Sequence, residues 1–181
     1  MPRRHAALAT LLAVPVLTAT LLTLTGCAPT VSLEAAPDAN DPGCAEISVR
    51  LPDTVADKAK RETNAQATGA WGDPAAVLLR CGVPPIGATT RPCISVNGID
   101  WVLMTDLDKN PTAKQLVYQT FGRTPATEVV IDHVSGASDA AVLPEFASAI
   151  ATVPQTEKCL STLDTTSTPT PSPTPTPTPT K

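Results

Sequence analysis

The sequence predicts one domain of the α+β class, with an antiparallel sheet of about four strands and a helix near each end. Disulfides are expected to cross-link this domain. Three observations predict this fold. They are a hairpin pattern around Asn97-Gly98, short apolar runs bounded by glycine and proline, and apolar residues at helical spacing near both ends. Of the 181 residues, we assign 44–160 to this domain, which is an ordinary size for a single domain.

Helical patterns lie at both ends of the domain. Asp41 can cap a helix whose first turn contains Pro42, and Pro52 should end or kink that helix. Residues 138–153 predict a second helix, whereas the polar residues 57–68 predict a solvated helix or a loop. The two apolar stripes consist of Ile47, Leu51 and Val55 near the first end, and of Val142, Phe146, Ile150 and Val153 near the second.

Strand patterns fill the middle of the domain. Asn97-Gly98 is a favoured two-residue hairpin turn, and it sets Val96 opposite Ile99 and Ile94 opposite Trp101. One face of this hairpin should carry Ile94, Val96, Ile99, Trp101 and Leu103, and the other should carry Cys93, Ser95 and Asp100. Further strands are predicted at residues 77–81, 114–121 and 127–134, although a helix starting at Asp73-Pro74 also fits the first of them.

Residues 1–26 predict a signal for export. A short basic start is followed by an apolar run from Ala6 to Leu24 and by small residues. Leu24-Thr-Gly-Cys27 resembles a bacterial lipobox, in which the cysteine thiol receives a diacylglyceryl group and becomes the first residue after cleavage. Two acyl chains suffice for stable anchoring. An uncleaved membrane helix over the apolar run is the main alternative, and the adjacent Arg3-Arg4 pair leaves twin-arginine export open.

Low-complexity segments flank the predicted domain. Residues 27–43 contain three prolines and no apolar period, so they predict a tether between lipid and domain. Residues 161–181 are largely alternating threonine and proline and predict a disordered, extended tail. Such a tail is either a site of O-glycosylation or an unmodified spacer through the cell-wall polymer.

Four cysteines remain after the one predicted to carry lipid. An even number in an exported domain predicts two disulfides, and we expect Cys81 to pair with Cys93 and Cys44 with Cys159. A redox or metal site is the alternative. No CxxC spacing is present, and His133 is the only histidine left after signal removal, so we predict neither a metal nor a cofactor.

The composition narrows the possible functions. The chain has a formal net charge of −4, and removal of Arg3 and Arg4 with the signal makes it more negative, which argues against nucleic-acid binding. No phosphate-binding loop, serine-hydrolase elbow or zinc-protease motif is present. We interpret Asp132-His133, and the pair Glu128 and Asp132, as residues of an ordinary exposed strand. Neither pair forms a pattern that favours a catalytic role.

Two arginine-containing segments remain as a possible ligand or structural patch. An arginine on a glycine-flanked turn can bind a carboxylate or phosphate. Such an arginine can also pair with Asp73 or Glu128 and stabilise the fold, and we favour that reading. The patch consists of Trp71, Asp73, Arg80, Arg123 and Glu128.

Several motifs together resemble one known family. They are Ala70-Trp-Gly-Asp-Pro74, Leu79-Arg-Cys-Gly-Val83, Val96-Asn-Gly98 with Trp101, and Gly122-Arg-Thr-Pro-Ala126 with Glu128-Val129. In this order they resemble the actinobacterial family called domain of unknown function 3515. The resemblance implies a small exported or lipid-anchored envelope protein, and it carries no activity, cofactor or catalytic residue.

These features together predict a protein that a lipid anchors at the outer face of the cytoplasmic membrane. It would be a non-catalytic binding or structural module, with the membrane as one partner through Cys27 and a cell-wall polymer or envelope protein as another. The alternative is a small extracytoplasmic hydrolase that uses carboxylates and arginines near Arg80, Arg123, Glu128 and Asp132.

Overall fold

Within residues 29–160, eight antiparallel strands form one sheet in the order β1-β2-β3-β4-β8-β7-β6-β5. The structure, a computed structural model of the chain, describes residues 29–160. The strands are β1 (Thr54–Val55), β2 (Lys58–Arg61), β3 (Thr68–Trp71), β4 (Val77–Val83), β5 (Cys93–Val96), β6 (Ile99–Leu103), β7 (Gln115–Thr120) and β8 (Ala126–Asp132). The antiparallel sheet is confirmed, but it has twice the predicted number of strands.

The β5–β6 hairpin has the predicted register. Val96 pairs with Ile99 and Ile94 with Trp101. Asn97 and Gly98 both have positive φ, 49° and 78°, which a type I′ turn requires at both central positions. The predicted strands 77–81, 114–121 and 127–134 correspond to β4, β7 and β8.

The first half of the sheet differs from the prediction. Residues 57–68 were expected to form a solvated helix or a loop, but they contain β2 and the start of β3. Lys60 pairs with Trp71 and Arg61 with Ala70. Strand β2 lies near the sheet edge, has the sequence Lys-Ala-Lys-Arg and contains no apolar alternation that would reveal it.

The helices are short and cover one face of the sheet. Helix α1 (Pro42–Ser48) starts as predicted, with the Asp41 side chain accepting a hydrogen bond from the Gly43 amide. The predicted C-terminal helix is broken into α2 (Asp139–Val142), a 3₁₀ turn (Leu143–Phe146) and α3 (Ala147–Ile150). Pro144 lies in the 3₁₀ turn and has no amide hydrogen to donate to a continuous helix. All four residues of the predicted stripe are nevertheless buried.

The main core lies between these helices and what we call the inner face of the sheet. Trp71 and Trp101 are fully buried there, and the Trp71 ring lies 5.1 Å from that of Phe146. The Trp71 indole nitrogen donates to the Pro52 carbonyl at 2.9 Å. On the opposite, outer face Leu78 and Val130 remain half-buried, so this face is only partly covered. None of the helices formed by residues 29–160 is long and apolar enough to cross a membrane.

The four cysteines form two disulfides, but the predicted pairing was wrong. Cys44 pairs with Cys81, which joins α1 to β4, and Cys93 pairs with Cys159, which joins β5 to the C-terminal segment. Their Cα atoms lie 5.5 and 6.3 Å apart, within the usual range. Cys81 and Cys93 are adjacent in sequence among the four cysteines, but their strands lie on separate parts of the sheet, and sequence spacing alone does not reveal that separation.

Of the predicted tether, residues 27–43, the structure describes residues 29–43. Pro42 and Gly43 belong to α1, and residues 29–41 lie against the sheet. Val31 pairs with Thr63 in an isolated bridge, and the Asp38 amide donates to the Gly82 carbonyl at 3.0 Å. Gly82 has a φ of 92°, and a Cβ atom there would lie 2.3 Å from the Asp38 carbonyl carbon. This close approach requires glycine, and it fixes the segment before α1 onto β4.

Removal of either disulfide should lower the free energy of unfolding. The bridges span 37 and 66 residues, so the chain-entropy model gives about 4 kcal/mol for each. We expect Cys44→Ala/Cys81→Ala and Cys93→Ala/Cys159→Ala each to lose a stabilisation of that order in urea unfolding. Non-reducing peptide mapping of the unmodified protein is the control, and recovery of a Cys44–Cys159 peptide would contradict the structure.

Candidate functional site on the outer face

A shallow groove on the outer face of the sheet contains two of the predicted patch residues. Its volume is about 440 Å³. We call it the outer-face groove, and its lining residues are Ser32, Leu33, Glu34, Leu78, Arg80, Glu128 and Val130. The N-terminal segment forms one wall, and β4 and β8 form the floor.

The strand register brings Arg80 and Glu128 together. They are directly paired across β4 and β8, and Leu78 is likewise paired with Val130, so both pairs lie on the same face. Arg80 Nε and Nη2 donate to Glu128 Oε1 at 3.1 and 2.6 Å. The side chains are 35% and 17% exposed. Arg80 and Glu128 thus form one of the pairings of opposite charge that the sequence allowed.

This arrangement favours binding by surface contact over acid–base chemistry. The Arg80 guanidinium and the Glu128 carboxylate neutralise each other, so the groove presents this ion pair and the exposed Glu34 carboxylate beside half-buried apolar side chains. An external carboxylate or phosphate would have to compete with Glu128 for the guanidinium. The groove suits a ligand with alternating polar and apolar groups better than a strongly anionic one.

Asp132 lies away from this pair. It occupies the end of β8, where its Oδ1 accepts a hydrogen bond from the Val134 amide and caps a 3₁₀ turn (His133–Ser135). Its side chain lines a different groove, of about 630 Å³, that also contains Thr105 and Asn110. The even spacing of Glu128 and Asp132 therefore does not produce a carboxylate pair in one pocket.

Arg123 is buried and holds the C-terminal segment. Its guanidinium donates to the Val153 carbonyl and, at 3.2 Å, to the Gly98 carbonyl. Burial lowers the pKa of Arg123, and the Asp100 carboxylate partly opposes that effect. Of the two arginines for which pairing with Asp73 or Glu128 was considered, Arg123 makes neither contact. Its acceptors are backbone carbonyls, which a sequence pattern does not mark.

Trp71 and Asp73 have separate structural roles. Trp71 is fully buried in the core and cannot contact a ligand at the surface. Asp73 is exposed and pairs with Arg61, whose Nη1 lies 2.9 Å from Asp73 Oδ1. The five predicted patch residues thus lie in four separate places. Trp71 is in the core, Arg80 and Glu128 line the outer-face groove, Arg123 binds the C-terminal segment, and Asp73 lies beside β2.

The side-chain hydrogen bonds of two buried residues, Asp100 and Tyr118, were not predicted from the sequence. Asp100 Oδ2 accepts hydrogen bonds from Gln155 Nε2 at 2.8 Å and from the Cys159 amide at 2.9 Å. The Tyr118 hydroxyl donates to Asp139 Oδ2 at 2.9 Å, and burial together with this hydrogen bond raises the pKa of Tyr118. The only sequence signal for Asp100 is an acidic residue within an otherwise apolar strand.

A third groove lies beside the Cys93–Cys159 disulfide. It has a volume of about 770 Å³, and Phe121 and the exposed Leu160 contribute apolar surface to it. Within residues 29–160, no group of three or more histidine, cysteine, aspartate or glutamate side chains is placed to hold a metal ion.

Comparison with known proteins identifies a family but no activity. The model of a family described as "Protein of unknown function (DUF3515)" matches residues 5–159. Neither the curated proteins nor the solved structures yield a match.

The Arg80–Glu128 pair should contribute a small, salt-dependent coupling energy. A double-mutant cycle with Arg80→Gln and Glu128→Gln should give about 1 kcal/mol in urea unfolding, because the pair is only partly shielded from water. The coupling should fall as ionic strength rises. The more exposed pair Arg50–Glu46 is the control and should give about 0.4 kcal/mol. Equal coupling energies for the two pairs would show that burial adds nothing.

Arg123→Gln should destabilise the domain strongly. The substitution removes charge-assisted hydrogen bonds to two backbone carbonyls, and we expect a loss of about 3 kcal/mol in the free energy of unfolding. The control is Arg91→Gln, since Arg91 is exposed and donates to a single carbonyl; that variant should lose less than about 1 kcal/mol. Similar losses for the two variants would show that the hydrogen bonds of Arg123 to the Val153 and Gly98 carbonyls do not stabilise the domain.

Proposed function

Because the chain belongs to the DUF3515 family, for which the family description gives no activity, we propose its function from the chain itself. We propose that it is a lipid-anchored protein of the cell envelope that acts as a non-catalytic binding or structural module. Its place would be the outer side of the cytoplasmic membrane, with a cell-wall polymer or an envelope protein as its partner.

The observation that carries this proposal is the pair of disulfides. They use every cysteine of the described chain and tie α1 to β4 and β5 to the C-terminal segment. Disulfides of this structural kind persist in oxidising compartments and are rare in the cytosol. Their presence supports a folded domain that lies outside the cytoplasm.

The lipid anchor rests on the N-terminal sequence. Leu24-Thr-Gly-Cys27 follows the apolar run directly, and these residues lie outside the described part of the chain. A diacylglyceryl group on Cys27 would supply the two acyl chains that stable membrane attachment needs. The predicted tail from residue 161 likewise lies outside the described residues, and we propose that it serves as a spacer.

The placement of the charged side chains supports a binding module over the hydrolase alternative. Arg80 and Glu128 neutralise each other, Arg123 is committed to backbone carbonyls, and Asp132 caps a turn. A hydrolase built from these residues would need them around one substrate, whereas the structure distributes them over three places.

Cys27→Ala should abolish attachment to the membrane. We expect the wild-type mature protein to carry a mass increment for the diacylglyceryl group and to partition into detergent, and the variant to lose both properties. Intact mass spectrometry and Triton X-114 partitioning measure them. Thr30→Ala, a change at an exposed position just beyond the predicted cleavage site, is the matched control and should behave as wild type.

The same strains test the binding part of the proposal. Crosslinking in intact cells should couple the wild-type protein to an envelope protein or to wall polymer, and Cys27→Ala should lose that product. Unchanged partitioning of the Cys27→Ala variant would contradict the lipid anchor. Wild-type protein that is anchored but gives no envelope crosslink would contradict the binding module.

A further inference from the structure

We propose that the domain rests on the lipid bilayer through its β2 side, with the opposite edge of the sheet turned away from the membrane. The membrane-facing surface consists of β2 and the adjacent turn Gly72–Pro74. This inference depends on lipidation of Cys27, as proposed above, and adds an orientation to it.

The first described residues are bound tightly to the β2 side. Arg61 Nη2 donates to the Pro29 carbonyl at 2.6 Å, while Nη1 of the same guanidinium contacts the Gly72 carbonyl and Asp73. The Arg61 side chain is only 10% exposed, so it holds Pro29 from a partly buried position. Pro29 is therefore part of the folded domain.

The contacts continue along the following residues. The Val31 amide donates to the Glu62 carbonyl at 2.8 Å, and the Asn64 amide donates to the Val31 carbonyl at 3.3 Å. The Leu33 amide donates to Asn64 Oδ1 at 2.7 Å. Residues 29–33 thus follow the segment after β2, and the point where the chain enters the domain is fixed at this side of the sheet.

The chain between lipid and domain is too short to allow other orientations freely. Cys27 precedes Pro29 by two residues, which span at most about 7 Å. The headgroup layer on each side of the hydrocarbon core is about 5–8 Å thick. Pro29 must therefore lie at or just above the headgroups, and the Arg61 side chain that binds it must lie there too.

The residues on this surface have the chemistry of a headgroup contact. Strand β2 carries Lys58, Lys60 and Arg61, with Asp57, Glu62 and Asp73 close by in sequence or space. The formal charges of these three basic and three acidic residues balance, so electrostatic attraction to anionic lipid is weak and the short covalent link determines the orientation. Lys60 is exposed and can reach lipid phosphate groups.

The other end of the described chain leaves from the far edge of the sheet. Cys159 is joined to Cys93 on β5, the last strand in the order that begins β1-β2. Six strand spacings separate β2 from β5, which is about 29 Å along the sheet. The segment after Leu160 therefore starts at the side opposite the membrane, as a spacer directed into the cell wall requires.

The test measures the proximity of two matched positions to lipid headgroups. A coumarin-bearing amino acid replaces either Lys60 on β2 or Ser95 on β5, both of which are exposed. The full-length mature lipoprotein is reconstituted into phosphatidylcholine–phosphatidylglycerol vesicles that contain a headgroup-nitroxide lipid. We expect quenching at position 60 to be several-fold stronger than at position 95. A flexible Gly/Ser insertion of about ten residues after Ala28, with a typical span of about 17 Å, should remove most of that difference.

The outcomes separate the orientation from the anchor. The quenching is measured on protein that floats with the vesicles and is therefore anchored. Equal quenching at the two positions, or stronger quenching at position 95, would overturn the proposed orientation. If the Gly/Ser insertion leaves the difference unchanged, the orientation stands, but the short covalent link is not what determines it. If the intact protein shows no mass increment for acyl chains and does not float with the vesicles, the lipid anchor is refuted. The proposed orientation, which depends on the anchor, is then refuted as well.

Discussion

The pairing of β4 with β8 is the interaction on which the rest of the structure depends. It joins the half of the sheet formed by β1–β4 to the half formed by β5–β8. The two strands are each seven residues long, and their inner residues Leu79 and Val129 are buried in the core. The same register places Arg80 beside Glu128 on the outer face, so a slip by one residue would expose the core side chains and bury this charged pair.

Local chemistry determines which parts of the fold the sequence could reveal. The β5–β6 hairpin could be predicted because Asn97-Gly98 and the flanking apolar residues agree on one register. Strands β1 to β3 could not, because charged residues near an edge and the small residues Gly69 and Ala70 leave no alternating pattern. The stripe from Val142 to Val153 predicted the buried positions correctly, whereas Pro144 divides the backbone that carries them.

Long-range contacts explain the errors at the candidate site. The partner of Cys44 is Cys81 because α1 packs beside β4, and this proximity depends on the whole sheet. The Arg80–Glu128 pair could be anticipated as one of several pairings of opposite charge. The acceptors of Arg123 could not, since they are the Val153 and Gly98 carbonyls, and any residue provides a carbonyl.

The order of the two disulfides along the chain determines how the domain would respond to mechanical tension. The bridges close consecutive loops, residues 44–81 and 93–159, which do not overlap. A pull between the two described ends would follow a covalent path through residues 29–44, across to 81–93, and across again to 159. That path contains only the last three residues of β4 and the first residue of β5, and it bypasses all the other strands. Stretching the protein would therefore extend only a small part of its contour, and most of the sheet would bear no direct load.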